Sequence, residues 1–262
     1  MKKWVKNFLV VGIVLCFAFL AIASSSDDER ATKVDGENNG NQTSDNNDNN
    51  DDGEEAQEGA HYQITYQSAS TWKNSIGTVW VQAMFEVTNV GTTELYLSSG
   101  AYDLEDSEGN LVSSSRLVSV YPTVIGPGES ALYHETTTIS DADSEIDVTI
   151  LPRPSIKRAK IDNVRLEVTE VTFSEGTFSG IQARGRVENT TGEEQSSVTI
   201  AIILYDIDDK PIGVLSTTLM EDIASGDKIG FEASALSLPD DITPDRVARY
   251  EAFAYPWLQL QW

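Results

Sequence analysis

The stretch Arg184–Asp206, RGRVENTTGEEQSSVTIAIILYD, constrains the fold more than any other, because it reads as one complete strand, turn and strand. Ile181, Ala183, Gly185 and Val187 alternate with Gln182, Arg184, Arg186 and Glu188, the period of two expected of a half-buried strand. Asn189 ends the alternation, and Thr190, Thr191 and Gly192 supply a turn. Val198–Tyr205 is then apolar and largely β-branched at nearly every position, as expected of a strand in the middle of a sandwich.

A cruder copy of this unit lies about 100 residues earlier. Val79, Val81, Ala83, Phe85 and Val87 alternate against Trp80, Gln82, Met84 and Glu86, and Asn89 and Gly91 turn the chain. Tyr62, Ile64 and Tyr66 open this half, while Leu95–Leu97 and Tyr102–Leu104 read as short strands ahead of a hairpin turn at Glu108-Gly109-Asn110. Asn89 with Asn189, Tyr102-Asp103 with Tyr205-Asp206, and Gly128-Glu129 with Gly226-Asp227 keep their order and nearly constant spacing. Ile229 and Phe231 stand against Leu132 and Tyr133. Asn89, Gly128, Asn189 and Gly226 are thus structural turn residues. The fold class is all-β: two tandem immunoglobulin-like β-sandwich domains, residues 61–153 and 154–262. The boundary is placed at LPRPSIKRAK, residues 151–160, where two prolines and four bases interrupt an acidic chain. Val164, Leu166 and Val168 open the second domain, and Val247–Tyr255 closes it.

Residues 1–23 combine Lys2, Lys3 and Lys6 with the apolar run Phe8–Ala23, the pattern of an export signal. Ala21-Ile22-Ala23 offers a cleavage site before Ser24. As a helix the run would span about 24 Å against a hydrocarbon core of about 30 Å, so cleaved signal and retained anchor both remain open. Cys16, the single cysteine, has Leu15 before it and Phe17 after it, which does not suit lipidation and leaves no intramolecular disulfide. Residues 24–60, rich in Asp, Asn, Glu, Ser and Gly, are expected to form a disordered acidic tether. Within it Asp48, Asn50, Asp52 and Gly53 imitate a calcium loop whose closing glutamate position is Gly59.

The second half, with its RVENTTGEE turn, IAIILYDIDDKPIG hairpin and ASGDKIGF turn, resembles the FxLYD-type domain of bacterial envelope proteins, with Ile202 where the name-giving pattern has Phe. The first, VWVQAMFEVTNVGTTELYL followed by GPGES, is similar to telokin-like immunoglobulin-fold modules of exported proteins and lipoproteins. The resemblances imply a fold and an exported location, and bring no catalytic residues.

The formal charge of −24 opposes nucleic-acid binding. Of the two histidines, His61 ends the tether and His134 opens HETTT, which has Thr138 where a zinc-protease motif needs its second histidine and reads as a surface strand. No G-x-S-x-G, phosphate loop or C-x-x-C occurs. The acidic loops Asp103, Glu105, Asp106 and Glu108, and Asp206, Asp208 and Asp209, are read as solvated hairpin turns, with calcium ligation as the alternative. Trp72 and Trp80 should pack beside the first core. Trp257 and Trp262, with Tyr250, Phe253 and Tyr255, should pack the final strand or else form a stacking platform for a sugar polymer. The expectation is a non-enzymatic, cofactor-free, extracytoplasmic surface protein for binding, adhesion or envelope structure, partnered by an envelope protein or polysaccharide and meeting the membrane only through its N-terminal segment. The alternative is a membrane-anchored sensory or accessory subunit.

Overall fold

The computed structural model describes residues 60–140, 142, 144–176 and 180–257. The N-terminal run, the acidic tether up to residue 59 with its calcium-like motif, and Trp262 lie outside them. The described chain is all-β and sandwich-like, built on two sheets. The first holds β1 (Tyr62–Lys73), β2 (Val79–Asn89), β3 (Leu95–Glu105), β4 (Leu111–Tyr121), β5 (Val124–Ile125), β6 (Ser130–Thr138) and β7 (Thr149–Arg158). The second holds β8 (Glu167–Ser174), β9 (Gln182–Glu188), β10 (Val198–Tyr205), β11 (Pro211–Leu219), β12 (Lys228–Ser234) and β13 (Arg249–Pro256), with a short 3₁₀ turn at Pro244–Arg246.

The strand orders coincide. β1-β2-β6-β4-β3 with β7 beside β3 matches β8-β9-β12-β11-β10-β13, and β5 is an addition to the first sheet. β4 pairs with β3 as far as Val118 and with β6 from Ser119; β11 likewise pairs with β10 along its length and meets β12 only at Ser216. The two arms of each sheet therefore close over an apolar interior. Phe85, Leu97, Leu104, Val120 and Tyr133 fill the first, and Val187, Ile200, Ile202, Leu204 and Phe231 the second. Glycine is required where rings press on backbone: a Cβ on Gly100 would lie 2.7 Å from the Tyr133 ring, and one on Gly185 would lie 2.7 Å from Phe231.

Several sequence expectations are corrected. Residues 151–160 do not separate the halves. Most of them belong to β7, which pairs with β3 from Leu95–Arg158 to Glu105–Thr149, so the expected boundary between residues 153 and 154 falls inside a strand. Among the described residues β7 pairs with β3 alone, and on such an edge the missing N–H groups of Pro152 and Pro154 are tolerated. The chain passes to the second sheet after Arg158. There β8 begins at Glu167, while Leu166 only bridges to Ala254. Leu95–Leu97 and Tyr102–Leu104 are one strand with an irregularity between Gly100 and Tyr102. Opposite Val87 stands Ala131 and opposite Val187 stands Ile229, so Ile229 corresponds to Ala131 and Phe231 to Tyr133.

The eight residues of β10 are all buried, for two reasons. Val198, Ile200, Ile202 and Leu204 face their own core. Ala201, Ile203 and Tyr205 face the other way, into a third apolar cluster with Val214, Met84 and Leu132, which joins the outer face of β10–β11 to that of β2–β6. His134 is consequently no surface residue: it points outward on β6, is 9% exposed, and lies beneath the second sheet.

Candidate functional site

The structure gives every proposed turn residue a definite partner. Asn89 Nδ2 donates to the Thr93 and Ile125 carbonyls (2.9 and 3.3 Å), and its Oδ1 accepts from Gly91 N–H (3.0 Å). Asn189 repeats this with Glu193 and Ile223 (2.7 Å each) and Thr191 N–H (3.0 Å). Gly128 and Gly226, at φ +80° and +84°, donate to the backbone carbonyls of Asn89 and Asn189 (2.9 and 2.8 Å). This is a fold-determining corner built twice.

The acidic loops also match, in a register different from the expected one. Asp106, not Asp103, is the counterpart of Asp206. Asp106 Oδ1 accepts from the N–H groups of Glu108 and Asn110 (2.9 Å each), and Asp206 Oδ1 from those of Asp208 and Lys210 (3.0 Å each). Hydrogen bonds from the Asn110 side chain and backbone hold the Asp106 carboxyl below its usual range. Asp103 pairs with Arg153 on β7 (2.6 Å), and Asp209 with Arg249 (2.6 Å). Glu105 ends β3, and Asp208 lies within the second turn. Among the described residues no three acidic, histidine or cysteine side chains come together as a metal site.

Between the two sheets the outer faces part into a cleft of about 400 Å³. Its second-sheet wall follows from strand register. Thr218, Thr199 and Tyr255 are direct cross-strand neighbours on β11, β10 and β13 and so share one face; Ser216, Ala201 and Phe253 form the next row. Along that face of β10, Ala201, Ile203 and Tyr205 are covered by the first sheet, whereas Thr199 opens on the cleft. On the opposite wall Leu95 and Leu97 face the first core, so alternation turns Tyr96 and Ser98 outward; Ser119 and Tyr121 of β4 join them. Thr199 is only 7% exposed, and its Oγ1 has no hydrogen-bond partner among the described residues. Trp257 stands at the rim, 56% exposed, its backbone fixed by an N–H donated to Ser197 O (2.6 Å). Among the described residues the lining consists of hydroxyls, aromatic rings and two aliphatic side chains, with no charged group.

Two polar contacts hold the cleft walls in place. Gln82 Nε2 donates to Ile212 O of β11 and lies 3.1 Å from His134 Nε2, an arrangement that suits a neutral imidazole accepting on that nitrogen. Burial pushes the His134 pKa down to about 4. Arg165 donates from Nη2 to Val124 O of β5, and its guanidinium lies 5.8 and 5.6 Å from the ring centres of Phe253 and Tyr255.

The proposed aromatic platform is thus divided by alternation. Phe253 and Tyr255 face outward, toward the first sheet and the cleft, while Tyr250 pairs with core-facing Leu204 and sets its ring against Phe173 (5.4 Å, edge-on). Trp72 and Trp80 are cross-strand neighbours that stack at 6.1 Å, but on the face of β1–β2 turned away from the first core, where Trp72 joins Gln82 and Met84, and not beside that core as expected. Gln82, Arg165 and Thr199 were not singled out in the sequence, where each is a polar residue in a strand or loop like many others. No protein-family model matches the chain, and no curated protein matches it.

Proposed function

We propose that the chain is a non-enzymatic, extracytoplasmic surface protein whose two halves, each an immunoglobulin-like β-sandwich and the second of the FxLYD type, act as one binding body for a component of the cell envelope. The N-terminal pattern of lysines followed by an apolar run supports export. The observation that carries the binding role is the cleft between the sheets, whose walls are fixed by a shared apolar cluster and by the Gln82 and Arg165 contacts. Its lining supplies hydrogen-bonding and stacking groups.

The test is protease added to intact producing cells, followed by N-terminal sequencing of the protein they retain and release. Digestion without lysis is the expected result, and protection until lysis would overturn the reading. A mature start at Ser24 marks a released surface protein. An unprocessed N-terminus would favour the membrane-anchored accessory subunit.

A further inference from the structure

Thr199 breaks the pattern of its own strand. The other outward residues of β10 are apolar or aromatic and are covered, yet at this position a hydroxyl is nine-tenths buried with its oxygen unpartnered. Such a group costs stability unless something hydrogen-bonds to it. Valine would fit the same β-branched space in a strand without that cost. The hydroxyl sits in a row with Thr218 and Tyr255, opposite Ser98 and Ser119. At the rim a backbone-anchored tryptophan leaves more than half of its surface in water, although tryptophan is ordinarily highly buried.

We propose that this cleft is a subsite for an uncharged glycan: a neutral pyranose unit stacks its C–H face on Trp257 while its hydroxyls reach Thr199 Oγ1 and the serine and threonine hydroxyls of both walls. The inference deepens the binding role proposed above and rests on it. Three observations select this ligand class. The cleft volume falls within the range of about 300–1,000 Å³ typical of small-ligand sites. Hydroxyl groups donate and accept alike, which matches the mixed donor and acceptor character of sugar hydroxyls. Among the described residues the lining offers no charge to neutralise an ionic ligand, and a chain of net charge −24 repels anionic polymers.

The experiment is calorimetric titration of the full chain with cellohexaose, maltohexaose, mannohexaose and chitohexaose, each to about 10 mM, enough to reveal dissociation constants near 1 mM. Dextran sulfate is the anionic comparison. At least one neutral oligosaccharide should bind. Trp257→Ala should weaken that binding about tenfold or more, and Thr199→Val by about two- to tenfold. Tyr250→Ala, on the core-facing side of β13, should leave it unchanged.

The decisive control is stability, because a structural hydroxyl and a ligand hydroxyl differ in sign. Thr199→Val should unfold at the same or a higher denaturant concentration than the parent while binding less well. A lower midpoint would show that the hydroxyl serves the fold and would overturn the assignment. So would the absence of binding by all four oligosaccharides, tighter binding of dextran sulfate, or binding that survives both cleft substitutions. Any of these results alongside protease sensitivity on intact cells would remove the subsite and leave the surface-protein reading standing.

Discussion

Asn89 and Asn189 show what one amide can do at a corner. Each is buried and satisfies two carbonyls and one N–H, and Asn189 Oδ1 accepts a fourth hydrogen bond from the Thr191 hydroxyl. Alanine at either position would strand those groups, and a loss of about 2–4 kcal/mol is expected in denaturant unfolding. Aspartate would keep the acceptor but lose both donors and bury a charge, so it should cost at least as much; a variant within about 0.5 kcal/mol of the parent would contradict the corner's role. His134 gives the residue-scale prediction for pH. Its folded pKa is pushed down to about 4 from 6.5, so the unfolded chain takes up the proton first and the favourable difference is lost as pH falls from about 6.5 through about 4. The loss attributable to this group reaches about 3 kcal/mol. Comparing denaturant midpoints of the parent and His134→Gln between pH 7 and 4.5 isolates it, because other groups titrate in both proteins. Parallel curves would remove the prediction.

At the scale of strands and turns, the alternation of β2 and β9 and the two asparagine corners were legible in the sequence, since period and turn chemistry are local properties. β10 was legible as deeply buried, but not for the right reason: an apolar run without alternation means that both faces are covered, and only the tertiary structure shows that the second cover is the first sheet. β7 was misread because proline ordinarily breaks strands, and edge position is not written locally. The cleft was not legible, because outward hydroxyls on β3, β4 and β11 look the same in sequence whether they meet water or a second wall. The acidic turns were found but aligned three residues out of register, since Tyr-Asp occurs at both places while the turn-capping carboxylates are Asp106 and Asp206. These carboxylates already accept backbone N–H groups, and Asp103 and Asp209 are held by arginines. Exchanging EDTA for a few millimolar calcium at constant ionic strength should therefore move the melting midpoint by less than about 2 °C, whereas binding at ten times the dissociation constant would give roughly 3–6 °C in a cooperative unit of about 200 residues. Asp206→Asn should keep most of the turn's stability, because an amide oxygen can accept the same two bonds, while Asp206→Ala should lose about 1–2 kcal/mol.

On the scale of the whole molecule, the two sheets are expected to unfold together. Met84, Leu132, Ile203 and Val214 are buried in the cluster that joins them, and four such side chains represent roughly 6–12 kcal/mol of apolar burial as an upper bound. That is comparable with the whole stability of an ordinary domain, about 5–15 kcal/mol, so neither half should survive long once the other has melted. A single transition that coincides by near-ultraviolet and far-ultraviolet circular dichroism is the expected outcome for the parent. Ile203→Asp would place a charge at the centre of the joint, and Met84→Asp would do so from the first sheet. Because the two substitutions lie on different sheets, local damage to β10 or to β2 cannot explain a phenotype they share. Both should split the transition in two and raise the radius of gyration seen by small-angle scattering. Both should also weaken binding of any ligand of the cleft, whose walls belong to different sheets and keep their spacing through this joint together with the Gln82 and Arg165 contacts. If both variants instead melt in one step with the parent's dimensions, the apolar cluster is not what couples the halves, and the Gln82 and Arg165 contacts would have to carry the coupling alone.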